Sequence, residues 1–327
     1  MRVFVTGVGG QLGHDVMNEL HKRGHEGIGS DIAPQYSGAQ DGSAVTTMPY
    51  VQLDITDAAA VSRVLCEVKP DAVVHCAAWT AVDAAEDAEN QPKVRAINAS
   101  GTANIAEVCK ELDCKMVYIS TDYVFNGQGE TPWQPDCKDY APLNFYGRTK
   151  LEGELAVSSR LEKYFIVRIA WVFGLNGKNF IKTMLKLGET HDTLRVVNDQ
   201  IGTPTYTLDL SRLLVDMIET EKYGYYHATN EGGYISWYDF ACAIFKTAGM
   251  HVNVLPVTTA EYGESKAKRP FNSRLDKSKL TDNGFQPLPT WQDALGRYMV
   301  VYMKNAECKN ILQMAAMKCY REGKAGL

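Results

Sequence analysis

The sequence predicts an α/β protein: a doubly wound parallel sheet followed by a smaller, mixed C-terminal lobe. Three observations predict it. Over the first 120 residues, short β-branched runs alternate with stretches whose apolar residues recur at helical spacing. That alternation is what a parallel sheet covered by helices on both faces requires. A glycine cluster marks the passage from the first run to the first helical stretch, and beyond residue 120 the periodicity loosens, as in a lobe assembled from insertions.

The elements follow in order. Residues 2–6 (RVFVT) read as a strand, and Leu12, Val16 and Leu20 after them form one buried helical stripe, giving a βα unit. Further strands are expected at 27–32, 50–53, 72–76 and 116–120, with helices at 58–68 and 94–112 between them. Residues 38–49, rich in Gly, Ser, Thr and Ala, read as a surface loop. A polar, proline-marked stretch at 126–142 leads to a helix near Tyr146 and a strand at 164–172 (YFIVRIAWV). Later come a strand at 194–198, a helix at 208–218, a strand at 225–228 and a helix at 236–247. The tail 305–327 places Ile311, Met314, Ala315 and Lys318 at helical spacing.

Composition excludes several classes. With 327 residues, 45% hydrophobic and 22% charged, the chain is long enough for a large core and has the composition of a soluble globular protein. Thirty-four basic against thirty-nine acidic residues, a formal charge of −5, is the wrong sign for a broad nucleic-acid or anionic-membrane footprint, so any bound anion must be met locally. No run approaches 18 apolar residues and no leader pattern opens the chain, so a cytoplasmic address is expected. Eight cysteines form neither a C-x-x-C pair nor a zinc-spaced cluster. They read as reduced thiols, mostly buried, and no metal site is expected from them.

Thr6–Gly13 reads TGVGGQLG, placing Gly7, Gly10 and Gly13 between a strand and the mouth of a helix. Glycines there permit a tight turn and close approach of backbone to a pyrophosphate, which the helix N–H groups and dipole attract. Asp31 ends the second strand, 24 residues after Gly7, where a carboxylate accepts hydrogen bonds from a ribose diol and repels a 2′-phosphate. The reading is NADH or NADPH, with NADH favoured by Asp31. Asp54, after the third strand, is placed for the adenine edge, and Ala77 and Ala78, after the fourth, for a side-chain-poor wall.

Thr121 ends the fifth strand, and 25 residues later Tyr146 and Lys150 stand one helical turn apart on a shared face. Acid–base work at neutral pH asks a phenol to be more acidic by about three decades, roughly 4 kcal/mol, which a nearby ammonium and a cationic nicotinamide can supply. Lys150 also reads as an anchor for the nicotinamide ribose, and Thr121 as a donor to a substrate carbonyl. Y-x-x-x-K occurs twice more, at Tyr262 with Lys266 and at Tyr320 with Lys324. Neither follows a Ser or Thr at a strand end of the sheet, so context selects Tyr146.

Six blocks in order carry a resemblance: AAWTAVDAAE (77–86), STDYVFNG (120–127), YGRTKLEGE (146–154), RIAWVFG (168–174), DQIGTPTYTLDL (199–210) and RPFNSRLD (269–276). Over about residues 1–300 the chain resembles the dTDP-4-dehydrorhamnose reductases of the extended short-chain dehydrogenase/reductase superfamily. The resemblance implies a Rossmann-type fold and reduction of the C4 ketone of dTDP-4-dehydro-6-deoxy-L-mannose to dTDP-L-rhamnose, with a nucleotide sugar as partner. It implies Tyr146 as proton donor, Lys150 as its tuner, and Gly10, Gln11, Leu12, Asp31, Asp54, Ile55, Ala78, Trp79 and Thr80 along the dinucleotide. Asp122 and Trp171 would touch the nucleotide sugar, and Arg269 and Arg274 its diphosphate. Residues 1–175 would be mainly the dinucleotide-binding domain and 176–304 mainly the substrate-binding lobe, with interleaved segments.

The chain departs from the family pattern in places. Trp79 stands where His or Tyr is more usual, the 33–49 loop is long, and 305–327 extend past the usual end, a place for an assembly contact such as a homodimer. Magnesium is implied by resemblance only. Rival readings are a 4,6-dehydratase, which would carry a second carboxylate where Tyr123 stands; a 4-epimerase, which would recycle its coenzyme; and a non-catalytic dinucleotide-binding regulatory subunit like the methionine adenosyltransferase β subunit.

Overall fold

The computed structural model describes residues 1–263 and 265–304. The helical tail expected at 305–327 lies outside the described residues. Seven strands form the main sheet: β1 (Arg2–Thr6), β2 (Glu26–Asp31), β3 (Tyr50–Gln52), β4 (Ala72–His75), β5 (Lys115–Thr121), β6 (Tyr164–Ile169) and a last strand Gly224–His227. Every pairing is parallel, and the order is Gly224–His227, β6, β5, β4, β1, β2, β3. This is the doubly wound order expected of a dinucleotide-binding sheet, with its switch point between β1 and β4.

The alternation of side chains along each strand divides the core in two. Val3, Val5, Val74, Val117 and Val167 pack on one face with helices Gln11–Lys22 and Thr207–Ile218. Phe4, Val73, Met116, Tyr118 and Ile166 pack on the other with helices Ala58–Val68 and Thr102–Glu111. Central strands of a parallel sheet are apolar on both faces for this reason. The smaller lobe has its own cluster, including Phe173, Ile181, Phe240, Ile244, Trp291 and Tyr298. Helices Phe180–Gly188 and Trp237–Ala248, the parallel pair Thr193–Val197 with Asn253–Val257, and a helical segment 291–304 build it.

The structure departs from the sequence expectations in three places. The helix expected over 94–112 is three pieces, Gln91–Arg95, a π-helical turn Ala96–Gly101 and Thr102–Glu111. The strand expected through residue 172 stops at Ile169, because Trp171 takes φ +52°; Val172–Phe173 then pairs with Thr205–Tyr206. Of the six described cysteines only Cys109 and Cys114 are buried, while Cys66 is exposed, correcting the expectation that most would be interior.

Arg168 on β6 and Glu154 on helix Phe145–Ser158 make a fully buried two-pronged ion pair, with both bonds at 2.8 Å. The guanidinium also donates to the Pro135 carbonyl at 3.0 Å and lies over the Phe125 and Tyr225 rings. A charge taken from water needs this complete a set of partners, and the pair fixes the helix that carries Tyr146 and Lys150 against the sheet.

Candidate active site

The glycine turn leaves β1 at Gly7, which has φ +70°. A Cβ there would lie 2.7 Å from the Ala77 nitrogen, and one on Gly13 would run into the Gly7 carbonyl. Neither position admits a side chain, so the β1 end, the β4 end and the helix start are drawn together. The Gly10 N–H closes the turn on the Gly7 carbonyl at 3.0 Å, and helix Gln11–Lys22 begins immediately after. Its free N–H groups and positive end face the site. The turn is braced from the other lobe: Asn176 donates to the Gly9 and Gly10 carbonyls at 2.8 and 3.1 Å, and Asn179 to the Gln11 side chain at 3.0 Å.

Asp31 closes β2 beside the turn. Its carboxylate accepts from the Gly9 N–H at 2.9 Å and the Ile32 N–H at 2.8 Å. Leu12 and Ile55 are buried, Leu12 in the sheet core and Ile55 against Gly101, so what either offers a dinucleotide is main chain. Asp54 is exposed and accepts from the Thr56 N–H and hydroxyl. Ala77 donates to the Thr6 hydroxyl at 3.1 Å, Ala78 is half-buried and Thr80 is exposed. Trp79 is pinned by one side chain: Asn98 accepts from its N–H at 2.8 Å and donates to its carbonyl at 3.2 Å.

Asn98 was not singled out by sequence. It lies in the π-helical turn and also donates to the Thr149 hydroxyl at 3.1 Å, tying the β4 end to the helix of Tyr146. The extra residue of the π turn turns Asn98 inward, and such turns concentrate at functional sites. Its sequence trace is only that three polar or small residues, Asn98, Ser100 and Gly101, interrupt an expected apolar stripe.

Helix Phe145–Ser158 is capped by Asn144, which accepts from the Gly147 N–H at 2.8 Å. Tyr146 therefore stands in the first turn, and its hydroxyl hydrogen-bonds to Thr121 at the end of β5. Burial first, and then the Asp122 charge, push this phenol above its ordinary value, while the Thr121 bond opposes them. The chain's own groups thus disfavour the phenolate, where the sequence reading looked to a nearby ammonium and a cationic nicotinamide together for acidification. The Lys150 ammonium is buried, donates to the Ile119 carbonyl at 2.7 Å and lies 4.2 Å from the centre of the Tyr118 ring. Burial lowers its pKa to about 7, against the pull of Glu154 and Cys76.

Thr121 donates to the Asp122 carboxylate at 3.0 Å and accepts from the Tyr123 N–H at 3.3 Å. Ser273 donates to the other Asp122 oxygen. Burial raises the Asp122 carboxyl to about 6, with the two hydroxyls opposing. Ser273 too escaped the sequence reading, which stopped at its charged neighbours Arg269 and Arg274. The structure commits both arginines within the chain: Arg269 forks onto Asp83 at 2.7 and 3.2 Å, and Arg274 donates to the Asn272 side chain at 3.1 Å.

Trp171 stacks on Trp237 with ring centres 3.7 Å apart and planes 15° from parallel. Its backbone angle is one that bulky residues rarely adopt, and such residues gather at ligand clamps. Trp237 opens the helix of the smaller lobe, so the stack joins the two lobes. Tyr262, of the second Y-x-x-x-K, is exposed and its Lys266 pairs with Asp87 at 2.7 Å; Tyr320 lies outside the described residues. Among the described residues no group of three or more His, Cys, Asp or Glu side chains is placed to hold a metal ion, and no helix is long and apolar enough to cross a membrane.

The glycine cradle, the helix start and the β2 carboxylate fit a dinucleotide, and the Thr121, Tyr146 and Lys150 set is placed beside the β5 end where that dinucleotide's reactive end would reach. Comparison with known proteins points the same way. A sequence profile of the RmlD substrate binding domain matches residues 1–303. A dTDP-4-dehydrorhamnose reductase of Streptomyces griseus is 38% identical over 301 residues, covering 90% of this chain and 91% of the relative. The crystal structure of a dTDP-4-dehydrorhamnose reductase from Clostridium acetobutylicum superposes with a TM-score of 0.83 at 40% identity, over 93% of this chain and 100% of that one. One from Bacillus anthracis, in complex with NADP, gives 0.81 at 39% identity, over 91% and 98%.

Proposed function

The chain belongs to the RmlD substrate-binding-domain family, and from that membership and its site we infer that it is a nicotinamide-dependent oxidoreductase reducing the C4 ketone of dTDP-4-dehydro-6-deoxy-L-mannose to dTDP-L-rhamnose. The observation that carries this reading is the meeting of Thr121, Tyr146 and Lys150 at the end of β5, one strand beyond β4 from the strand that leads into the glycine turn. Residues 1–175 mainly hold the dinucleotide and 176–304 mainly the sugar nucleotide, with the strand Gly224–His227 returned to the main sheet.

The dinucleotide rests on Gly7, Gly10, Gly13 and the main chain of Gln11 and Leu12, with Asp31 at the adenosine ribose and Ala77, Ala78 and Trp79 along its wall. A carboxylate at the ribose repels a 2′-phosphate, so NADH is the preferred form. When bound, the coenzyme supplies the hydride. Tyr146 gives its proton to the carbonyl oxygen as charge develops there. A phenol held neutral by burial and Asp122 is loaded with that proton at neutral pH. Thr121 donates to the same oxygen by turning from Asp122, and Asp122, held by Ser273 as well, retains the geometry meanwhile. Lys150 has three N–H donors, one given to Ile119, which leaves two for the nicotinamide ribose and the phenol. Trp171 and Trp237 offer aromatic faces to the sugar nucleotide.

The test is loss of reduced-nicotinamide absorbance when the dTDP-4-keto sugar is added, with the UDP and GDP analogues alongside. Stoichiometric consumption with the dTDP sugar supports the reading. Turnover of the sugar without net consumption would make the protein an epimerase instead.

A further inference from the structure

We propose that Cys109 and Cys114 form a peroxide-reactive dithiol that closes to a disulfide, at the end of the sheet opposite the glycine turn. Cys109 is in the last turn of helix Thr102–Glu111, and Cys114 immediately precedes β5. Asp113 between them takes φ +52°, its N–H bonds to the Lys110 carbonyl at 3.2 Å, and the Cys114 N–H bonds to the Cys109 carbonyl at 3.0 Å. These are the two bonds of a Schellman ending, which brings the side chains at its first and last positions together. The usual occupants of those positions are two apolar side chains; here they are two thiols, packed in one buried cluster.

The pair lies just beneath the surface, Cys109 fully buried and Cys114 4% exposed. Cys109 and Cys114 line a surface cavity of about 230 Å³ with Arg160 and Lys163, and Cys114 also lines the adjoining cavity of about 530 Å³. Access divides the roles. Cys114 lines both cavities and is the attacking sulfur, while Cys109, fully buried behind it, is the resolving one. The Cys114 thiolate attacks one oxygen of hydrogen peroxide: the S–O bond forms, the O–O bond breaks, and the departing hydroxide takes up a proton as water. The Cys109 sulfur then attacks the Cys114 sulfenic acid. The S–S bond forms, the S–O bond breaks, and the hydroxide leaves with the Cys109 proton as a second water. Two thiols and one peroxide become one disulfide and two waters.

The test treats the folded full-length chain with hydrogen peroxide, blocks free thiols with iodoacetamide in denaturant, and maps tryptic peptides. Cleavage after Lys110 separates the two cysteines, so their disulfide appears as a linked pair. The expected result is that this pair becomes the main oxidised species before exposed Cys66 is consumed, and that dithiothreitol reverses it. In Cys109→Ser, dimedone should trap Cys114 as the sulfenic acid. Recovery of both cysteines as carbamidomethyl peptides at a dose that oxidises Cys66, or a Cys109→Ser protein in which Cys114 takes up no dimedone, overturns the proposal.

Discussion

The Lys150 ammonium donates to the Ile119 carbonyl at 2.7 Å, so the cation one helical turn from Tyr146 is held by the main chain of the strand that ends in Thr121. The bond holds a buried positive charge, and burial makes that charge costly to keep.

That cost has a sign. The folded value of Lys150 is about 7, below the ordinary 10.5, so between those values the unfolded chain binds the extra proton and this group's effect on stability improves as pH rises. Lys150→Met keeps the length of the side chain and removes the ammonium. We expect it to be more stable than the parent at pH 7 and nearly equal to it at pH 10 by urea denaturation, while turnover falls by about 10²-fold or more. A variant both unstable and inactive would make Lys150 a structural residue.

Asp122 carries a similar cost from the acid side. Its folded value of about 6 lies above the ordinary 3.8, so the penalty develops between those values and is complete at higher pH. Asp122→Asn should gain up to about 3 kcal/mol over the parent at pH 7 and little at pH 4. Urea midpoints at the two pH values check this, and an equal gain at both would place the effect outside the carboxyl ionisation.

The main sheet and the Tyr146 and Lys150 pair were legible because both rest on local pattern. Alternating apolar runs fix a parallel sheet, Gly7, Gly10 and Gly13 recur three residues apart between a strand and a helix start, and Tyr146 and Lys150 are one turn apart on a single helix. Asn98, Ser273 and Trp237 were not legible, because each acts through a partner distant in sequence: Trp79 and Thr149, Asp122, and Trp171. The break at Trp171 was hidden for a related reason. YFIVRIAWV has the composition of one continuous strand, and it is the stack on Trp237 and the hydrogen bonds from Thr205 to the carbonyls of Ala170 and Trp171 that accompany its turning aside. The upward push of burial and Asp122 on Tyr146 was not legible either, because both are products of the tertiary fold.

Coenzyme choice is expected to depend on Asp31. Asp31→Ala removes the negative charge at the ribose and the acceptor for the Gly9 N–H. The ratio of kcat/KM for NADH to that for NADPH should fall by about 10-fold, a differential free energy of about 1.4 kcal/mol. An unchanged ratio would show that the carboxylate serves only to brace the glycine turn.

The most direct measurement compares Tyr146→Phe with the parent chain, following coenzyme binding by fluorescence and turnover by loss of nicotinamide absorbance on the dTDP-4-keto sugar. The ring and its contacts survive this change and the phenolic proton does not. We predict coenzyme affinity within about threefold of the parent and turnover lower by about 10²–10⁴-fold. Parent-like turnover in the phenylalanine variant would contradict the assignment of Tyr146 as proton donor.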